Sequence, residues 1–244
     1  MKAWLKKVLQ KILGFDRYLF FFAVAIITTL RWNRNERDFI HFLRMIPDDG
    51  TVLDVGANIG IMSVWLGRRL RKSEIIAFEP IPQNIKALKR VLRFYSIKNV
   101  KVVETAVGHQ SGRVEMVMPI LDDVKMQGLS HIVHDSIQDF NEGTKYQAPI
   151  IRLDDYKELQ AIKVKLNAIK LDVENFEYYA LQGGEQLIRQ HKPLIYTELW
   201  ENENRKRCFD LLSSLGYHIM VIHRKKLVPY RSDKHQTQNF FFVP

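Results

Sequence analysis

The sequence predicts an α/β protein: an open, mostly parallel sheet with helices on both faces, preceded by a helical N-terminal extension. Three observations carry this. From Thr51 onward, short apolar runs alternate with segments of helical period. The principal runs each deliver an acidic residue near their end. The last two runs, "YHIMVI" and "NFFFVP", lie too close together for a helical crossover and so pair antiparallel.

At 244 residues and 46% hydrophobic, the chain has material for one sizeable core. Of the net charge of +10, residues 1–44 hold +6, with nine basic against three acidic side chains. The basic character therefore belongs mainly to the N-terminal segment, which argues against nucleic acid as the partner of the rest. A lone cysteine, Cys208, excludes an intramolecular disulfide and a cysteine-rich zinc site, and suits a reducing, cytoplasmic compartment.

Residues 1–46 read as the extension and 47–244 as the domain. Trp4, Leu5, Val8, Leu9, Ile12 and Leu13 recur with helical period opposite Lys2, Lys6, Lys7 and Lys11, and Gly14 is a stop signal. Such a helix suits an anionic membrane interface. The apolar run from Tyr18 to Leu30 would be about 20 Å long as a helix, against a hydrocarbon core of about 30 Å. A packed extension, a peripheral membrane contact, and a signal peptide or span all stay open. The long amphipathic basic region speaks against the last.

A helix over Asn35–Gly50, closed by Pro47, leads to a strand at Thr51–Val55 and a helix at Ile59–Arg71. A strand at Glu74–Glu79, a helix at Pro82–Tyr95 and a strand at Val100–Val103 follow. Gly108–Leu153 is less regular and reads as an insertion, with short strands, over the top of the sheet. Alternation resumes with strand Ala168–Val173, helix Glu177–Gln190, strand Leu194–Leu199 and helix Asn204–Leu215, before the closing pair and its basic loop.

In such sheets ligands sit outside the carboxyl ends of the strands. Asp54, Glu79, Asp172 with Glu174, and Glu198 would gather there as an acidic rim. Gly56 and Gly60 permit a tight turn and close backbone approach. Glu79, about 20 residues beyond that turn, is placed to accept hydrogen bonds from a ribose diol. A dinucleotide is opposed by the missing middle glycine of GxGxxG and by Asp54, whose charge would face a pyrophosphate. S-adenosylmethionine, with a ribose, an ammonium group and no phosphate, suits the rim better: Asp54 at its amino-acid end, Glu79 on its ribose.

Asn58 reads equally as a cap of the following helix, and Asn84 as part of its helix surface. Glu104 and Ala106 could flank the adenine by position alone. Lys170 and Asp172 can form a buried pair stabilising the strand end. Asp172 or Glu174 could instead position or deprotonate an acceptor hydroxyl, and the sequence does not choose between them. His131 and His134, with Asp135 and Asp139, invite a metal reading, but a lid or solvated loop accounts for them as well; no metal is expected.

Taken in order, "VLDVGANIG", "AFEPIPQNIKAL", "VVETAVG" with "SGRVEM", "RLDDY", "IKLDVENFEYYALQGG", "PLIYTEL" and "FFFVP" resemble the FkbM family of S-adenosylmethionine-dependent methyltransferases over roughly Val52 to Pro244. The resemblance implies the Rossmann-like, seven-stranded methyltransferase fold and methyl transfer, usually to oxygen, with small-molecule, sugar or glycolipid hydroxyls as acceptors. It places Asp54, Gly56, Asn58 and Gly60 in the donor loop and Glu79 on the ribose. One departure stands out: where the family reads Asp-Val-Glu-Gly, this chain has Asn175. Asn tolerates a left-handed backbone, but its side chain is expected near the acceptor. A catalytically inactive donor-binding module recruited to a membrane is the alternative function, with a nicotinamide-dependent dehydrogenase and a nucleic-acid methyltransferase behind it.

Overall fold

The computed structural model describes residues 3–134, 137, 140–160 and 165–244. Helices α1 (Ala3–Leu13), α2 (Phe15–Thr29) and α3 (Arg37–Met45) precede β1 (Thr51–Val55), α4 (Ile61–Arg69), β2 (Glu74–Phe78), α5 (Pro82–Phe94) and β3 (Val100–Val103). The insertion supplies β4 (Ala106–Val107), β5 (Gly112–Leu121), β6 (Val124–Lys125), β7 (His131–Ile132) and β8 (Gly143–Ile151). After the short α6 (Lys157–Gln160) come β9 (Leu166–Leu171), α7 (Glu177–Gln182), α8 (Glu185–His191), β10 (Leu194–Glu198) and α9 (Glu203–Ser214). The chain closes with β11 (His218–His223), β12 (Lys226–Pro229) and β13 (Asn239–Val243).

The main sheet has the order β12-β11-β13-β10-β9-β1-β2-β3. The five strands from β10 to β3 run parallel; β13, β11 and β12 alternate in direction. Strands β1 and β9 are buried on both faces, as central parallel strands must be. From β1 the chain winds one way through β2 to β3, and from β9 it winds the other way to β10. The switch point therefore lies between β1 and β9, where an open α/β sheet leaves its binding crevice. Eight strands are present rather than seven, because the basic loop before the last strand folds into β12 through a tight turn at Arg224 and Lys225.

The insertion is more ordered than its pattern suggests. β5 and β8 pair over eight positions, from Gly112 opposite Ile150 to Pro119 opposite Gly143, and β4, β6 and β7 flank them in a second sheet. Its apolar face, including Met116, Met118, Ile132 and Ile150, packs with Ile81 and Phe176 above the strand ends. Helix α4 starts two residues later than the periodicity predicts, because Asn58 (φ 50°) and Gly60 (φ 84°) turn the chain in left-handed conformations first. The helix expected over Glu177–Gln190 is two helices. At Gly183 the backbone meets the carbonyl oxygen of Gly108, which a Cβ would approach to 1.8 Å, and no helix-forming side chain fits there.

Helix α2 lies in the core of the molecule. Tyr18, Leu19, Phe20, Ala23 and Ile27 are buried against Ala87, Leu88 and Val91 of α5 and Val64 of α4. Farther on, Leu30, Phe39, Phe42 and Ile46 pack with Val52, Ala168 and Phe241, so the packing runs across residue 46 without a break. At about 1.5–3 kcal/mol for each large side chain, this burial is comparable with the whole stability of a domain, about 5–15 kcal/mol. Helix α1 is held by Lys7 on Asp123 and by Gln10 on the backbone of Lys125, and leaves Trp4 and Ile12 71% and 73% exposed. Among the described residues no helix is long and apolar enough to cross a membrane.

Candidate active site

The first loop after β1 is shaped by Gly56, whose φ of 79° is open to glycine and whose missing Cβ would sit 1.8 Å from the carbonyl oxygen of Asp172. That close approach draws the ends of β1 and β9 together. Beneath it lies an ionic cluster. Lys170, on β9, donates to the Gly56 carbonyl oxygen at 3.1 Å and to Asp172 Oδ2 at 3.3 Å, and its Nζ is 3.7 Å from Asp54 Oδ1. Burial pulls the Lys170 ammonium down, but Asp172, Asp54 and Glu198 outweigh it and hold the lysine above its ordinary value. Asp54 is fully buried. Burial raises its pKa despite Lys170 and the 2.5 Å hydrogen bond from the Ser63 hydroxyl.

Above this cluster a cavity opens at the carboxyl ends of the strands, where ligands of open α/β sheets sit. Gly56 and Asn58 line it from the first loop, Glu79 from the end of β2, Thr105 and Ala106 from β4 and its approach, and Asp172, Val173 and Glu174 from beyond β9. The insertion contributes Met116, Gln127, Ser130 and Ile132 as a roof. Glu79 accepts from the backbone N–H groups of Asn58 (2.8 Å) and Ile81 (2.9 Å) and from Asn84 Nδ2 (3.2 Å). Burial nonetheless pushes its carboxyl up to about 7.

Glu174 and Asn175 leave β9 with φ of 52° and 72°, both left-handed. Burial first, then Asp172, Glu177 and Glu198, push the Glu174 carboxyl up to about 9. Glu177, buried beneath this turn, accepts from the Val173 N–H at 2.9 Å and is pushed up by burial to about 8. A second cavity, about 830 Å³, lies on the other side of Asp172. It is lined by Asn35 and Glu36 from the turn before α3, Met62, Lys170, Tyr196, Glu198, Gln238 and Asn239. Burial raises the carboxyls of both Glu36 and Glu198.

Of the residues singled out from sequence, Gly56, Asn58, Glu79, Ala106, Asp172 and Glu174 meet around one cavity. Asp54 and Gly60 lie behind its wall: Asp54 acts only through Lys170, and Gly60 starts α4 where a Cβ would strike Leu88. Glu104 does not join them. Its exposed side chain pairs with Lys89 at 2.5 Å, in the irregular link between β3 and β4, while Thr105 and Ala106 line the cavity. Asn58 does not cap α4, since Gly60 occupies that position. Asn84 is buried on Glu79 rather than on the helix surface.

Asn175 turns its side chain away from both cavities. Its Oδ1 accepts from Asn202 Nδ2 (2.7 Å) and Asn204 Nδ2 (3.2 Å), and its carbonyl accepts from Asn204 Nδ2 (2.8 Å), at the start of α9. His131 is buried between the Leu129 carbonyl and Asn141 Oδ1, and the His134 ring packs edge-on to Phe176 and tilted against Tyr179. Asp135 and Asp139 lie outside the described residues. Among the described residues no cluster of three metal-ligating side chains exists. Ser63, Gln127, Ser130 and Glu36 were not foreseen. Ser63 sits nine residues past Asp54 on the first helix, a spacing that could have flagged it; the others carry no periodic signal.

A carboxylate-rimmed cavity at the switch point of an open α/β sheet defines a small-ligand enzyme of the Rossmann-like class. Residues 54–223 match the methyltransferase FkbM domain, and the chain belongs to that family. It is 26% identical over 193 residues to Methyltransferase 1 of Beauveria bassiana, covering 72% of this chain and 75% of that protein. It is 22% identical over 205 residues to Methyltransferase sdnD of Sordaria araneosa, covering 75% and 79%. Among solved structures, the FkbM methyltransferase from Methylobacillus flagellatus superposes with a TM-score of 0.53 at 20% identity, which shows the fold. The match covers 80% of this chain and 44% of the Methylobacillus protein, so this chain spans under half of that relative's length.

Proposed function

We propose that the protein transfers a methyl group from S-adenosylmethionine to a hydroxyl of a small-molecule or saccharide acceptor. The observation that carries this is Asp172, which lines both the donor-side and the acceptor-side cavity and is the one carboxylate positioned between them. The lining of the donor-side cavity offers polar groups to the cofactor's adenosine. Glu79 has three protein donors and about four lone-pair positions, which leaves one acceptor site for a ribose hydroxyl. Ser130 Oγ and Asn84 Oδ1, both on the cavity wall, are buried without hydrogen-bond partners among the described residues, as groups that await a ligand would be.

When bound, the cofactor supplies an activated methyl group on a sulfonium that leaves as a neutral thioether. The chain's own work is alignment and proton removal. Asp172 takes the hydroxyl proton as the acceptor oxygen bonds to the methyl carbon. Lys170, held charged between Asp172 and Asp54, fixes the orientation of the Asp172 carboxylate. Glu174, raised to about 9, is protonated at neutral pH and donates a hydrogen bond instead of accepting a proton. Asn175 supports this over an inactive module, since its side chain is spent on α9 and leaves the acceptor side clear.

Titration calorimetry with S-adenosylhomocysteine beside NAD tests the donor, and labelled methyl transfer to a panel of sugars and sugar conjugates tests the reaction. Saturable binding of the homocysteine compound alone is expected. Asp172→Asn should lower methyl transfer by about 10²–10⁴-fold, the usual worth of a general base, with homocysteine-compound affinity changed by less than about threefold. Preference for NAD, or full transfer by the variant, would sink the proposal.

A further inference from the structure

Outside the cavities just described, a strongly cationic groove lies between α3 and the β11–β12 turn. Six cationic side chains line it: Arg31, Arg34, Arg37, Arg44, Arg224 and Lys225. Asp38 is the single acid on its wall. Among the described residues none of the six forms an ion pair. A neighbouring hollow that shares Arg31 and Arg44 adds Arg68 and Arg69. Like charges lining one groove repel one another, and six cations set against one acid, none of them ion-paired among the described residues, suit an anion brought from outside.

The turn that carries Arg224 and Lys225 points the same way. Their φ values of 49° and 66° form the two-residue hairpin turn that favours Asn-Gly, because each residue with a Cβ in this conformation costs about 1 kcal/mol. Two strained cations stand where two relaxed neutral residues would hold β11 to β12 more firmly. Strain of this kind is retained where it serves a ligand.

The groove adjoins the acceptor side of the site. The turn at Arg34–Glu36 and the start of α3 form a partition, with Arg34 and Arg37 facing the groove and Asn35 and Glu36 facing the cavity that ends on Asp172. We propose that the groove binds a phosphate or diphosphate group carried by the acceptor, so that the hydroxyl to be methylated reaches Asp172 across this partition. Guanidinium forks bind phosphate oxygens two at a time, and five of the six cations are arginines. The acid-lined cavity takes the uncharged polyol end of such a molecule: Glu36, Glu198, Gln238 and Asn239 offer acceptors and donors to hydroxyls and repel a second anion. The link to methylation rests on the methyltransferase reading; the anion site itself does not.

Inorganic pyrophosphate, and phosphatidylcholine vesicles with and without phosphatidic acid, are the probes. They are titrated against the full chain at low and at physiological salt, with S-adenosylhomocysteine as a separate titrant. Binding of pyrophosphate, or of the anionic vesicles alone, identifies a soluble or a lipid-borne phosphate. The charge-reversed pair Arg37→Glu and Arg44→Glu should weaken it at least tenfold while homocysteine-compound affinity stays within twofold. The pair Arg224→Asn and Lys225→Gly should raise Tm by relieving the turn, yet weaken the same anion severalfold. No binding of either probe by protein that still binds the homocysteine compound overturns the proposal. So does binding untouched by both variant pairs, or binding of RNA with neither phosphate probe bound. If the homocysteine compound does not bind, the methyltransferase reading falls and the pyrophosphate result still decides the groove.

Discussion

Glu79 and Glu174 both stand at the mouth of the donor-side cavity, and the fold treats them in opposite ways. Glu79 is wrapped by two backbone N–H groups and the Asn84 amide, so its charge is shared before any ligand arrives. Glu174 sits in a left-handed turn, where burial first and then Asp172, Glu177 and Glu198 push its carboxyl up to about 9. The first is scaffold that a ligand completes. The second is held protonated and strained, as groups that act on a substrate often are.

Removing Glu79 should therefore have the largest effect. Glu79→Ala strands two backbone donors and Asn84 in a buried site, at about 1–3 kcal/mol each, and removes the ribose acceptor. A fall in Tm of several degrees and a loss of homocysteine-compound affinity beyond about a hundredfold are expected, with Glu79→Gln milder in both. An alanine variant that melts and binds like the parent would show that the wrapping is incidental.

A middle-sized effect concerns pH. Glu79, Glu177 and Glu174 are pushed up to about 7, 8 and 9 from an ordinary value of 4.5, so the folded state holds more protons than the unfolded chain in between. Their contribution to stability is present in full below about 4.5 and is lost as pH rises through 7, 8 and 9. Tm should fall from pH 5.5 to 9, and Glu177→Gln should flatten that slope up to about pH 8. A stability that climbs over the same range would contradict the burial of these acids.

The smallest effect belongs to Asn175. Asn175→Gly relieves a left-handed residue at position 175 but loses the hydrogen bonds from Asn202 and Asn204 to its side chain, so a net change of about 1 kcal/mol, destabilising, is expected. Donor affinity should be unmoved within about twofold. A large gain in methyl transfer would mean that this side chain obstructs the acceptor after all.

The parallel core was legible because its signals are local. Thr51–Val55 and Val100–Val103 announce themselves by β-branched runs between turn residues, and Pro82 marks the start of α5. The cavity-lining positions Gly56, Asn58 and Glu79 were legible for the same reason: they are tied to strand ends. What escaped depends on distant contacts. Asn84 looks like a surface residue until Glu79 is placed beneath it. Gln127 and Ser130 acquire meaning only when β5 and β8 fold the insertion back over the cavity. Glu36 reaches the site only because α2 and α3 are packed into the body of the molecule. Glu104 failed because it falls in the irregular link between β3 and β4, where position along a strand no longer tells which way a side chain points.

The placement of α2 also bears on how the chain is made. Tyr18, Leu19 and Ile27 leave the ribosome before their partners Leu88 and Val91 on α5, which follow only after about sixty further residues. At a synthesis rate of about 5–20 residues per second, an apolar helix beside a basic leader stays uncovered for some 3–12 seconds. During that interval the nascent chain presents the features that cytosolic chaperones and membrane surfaces both attract.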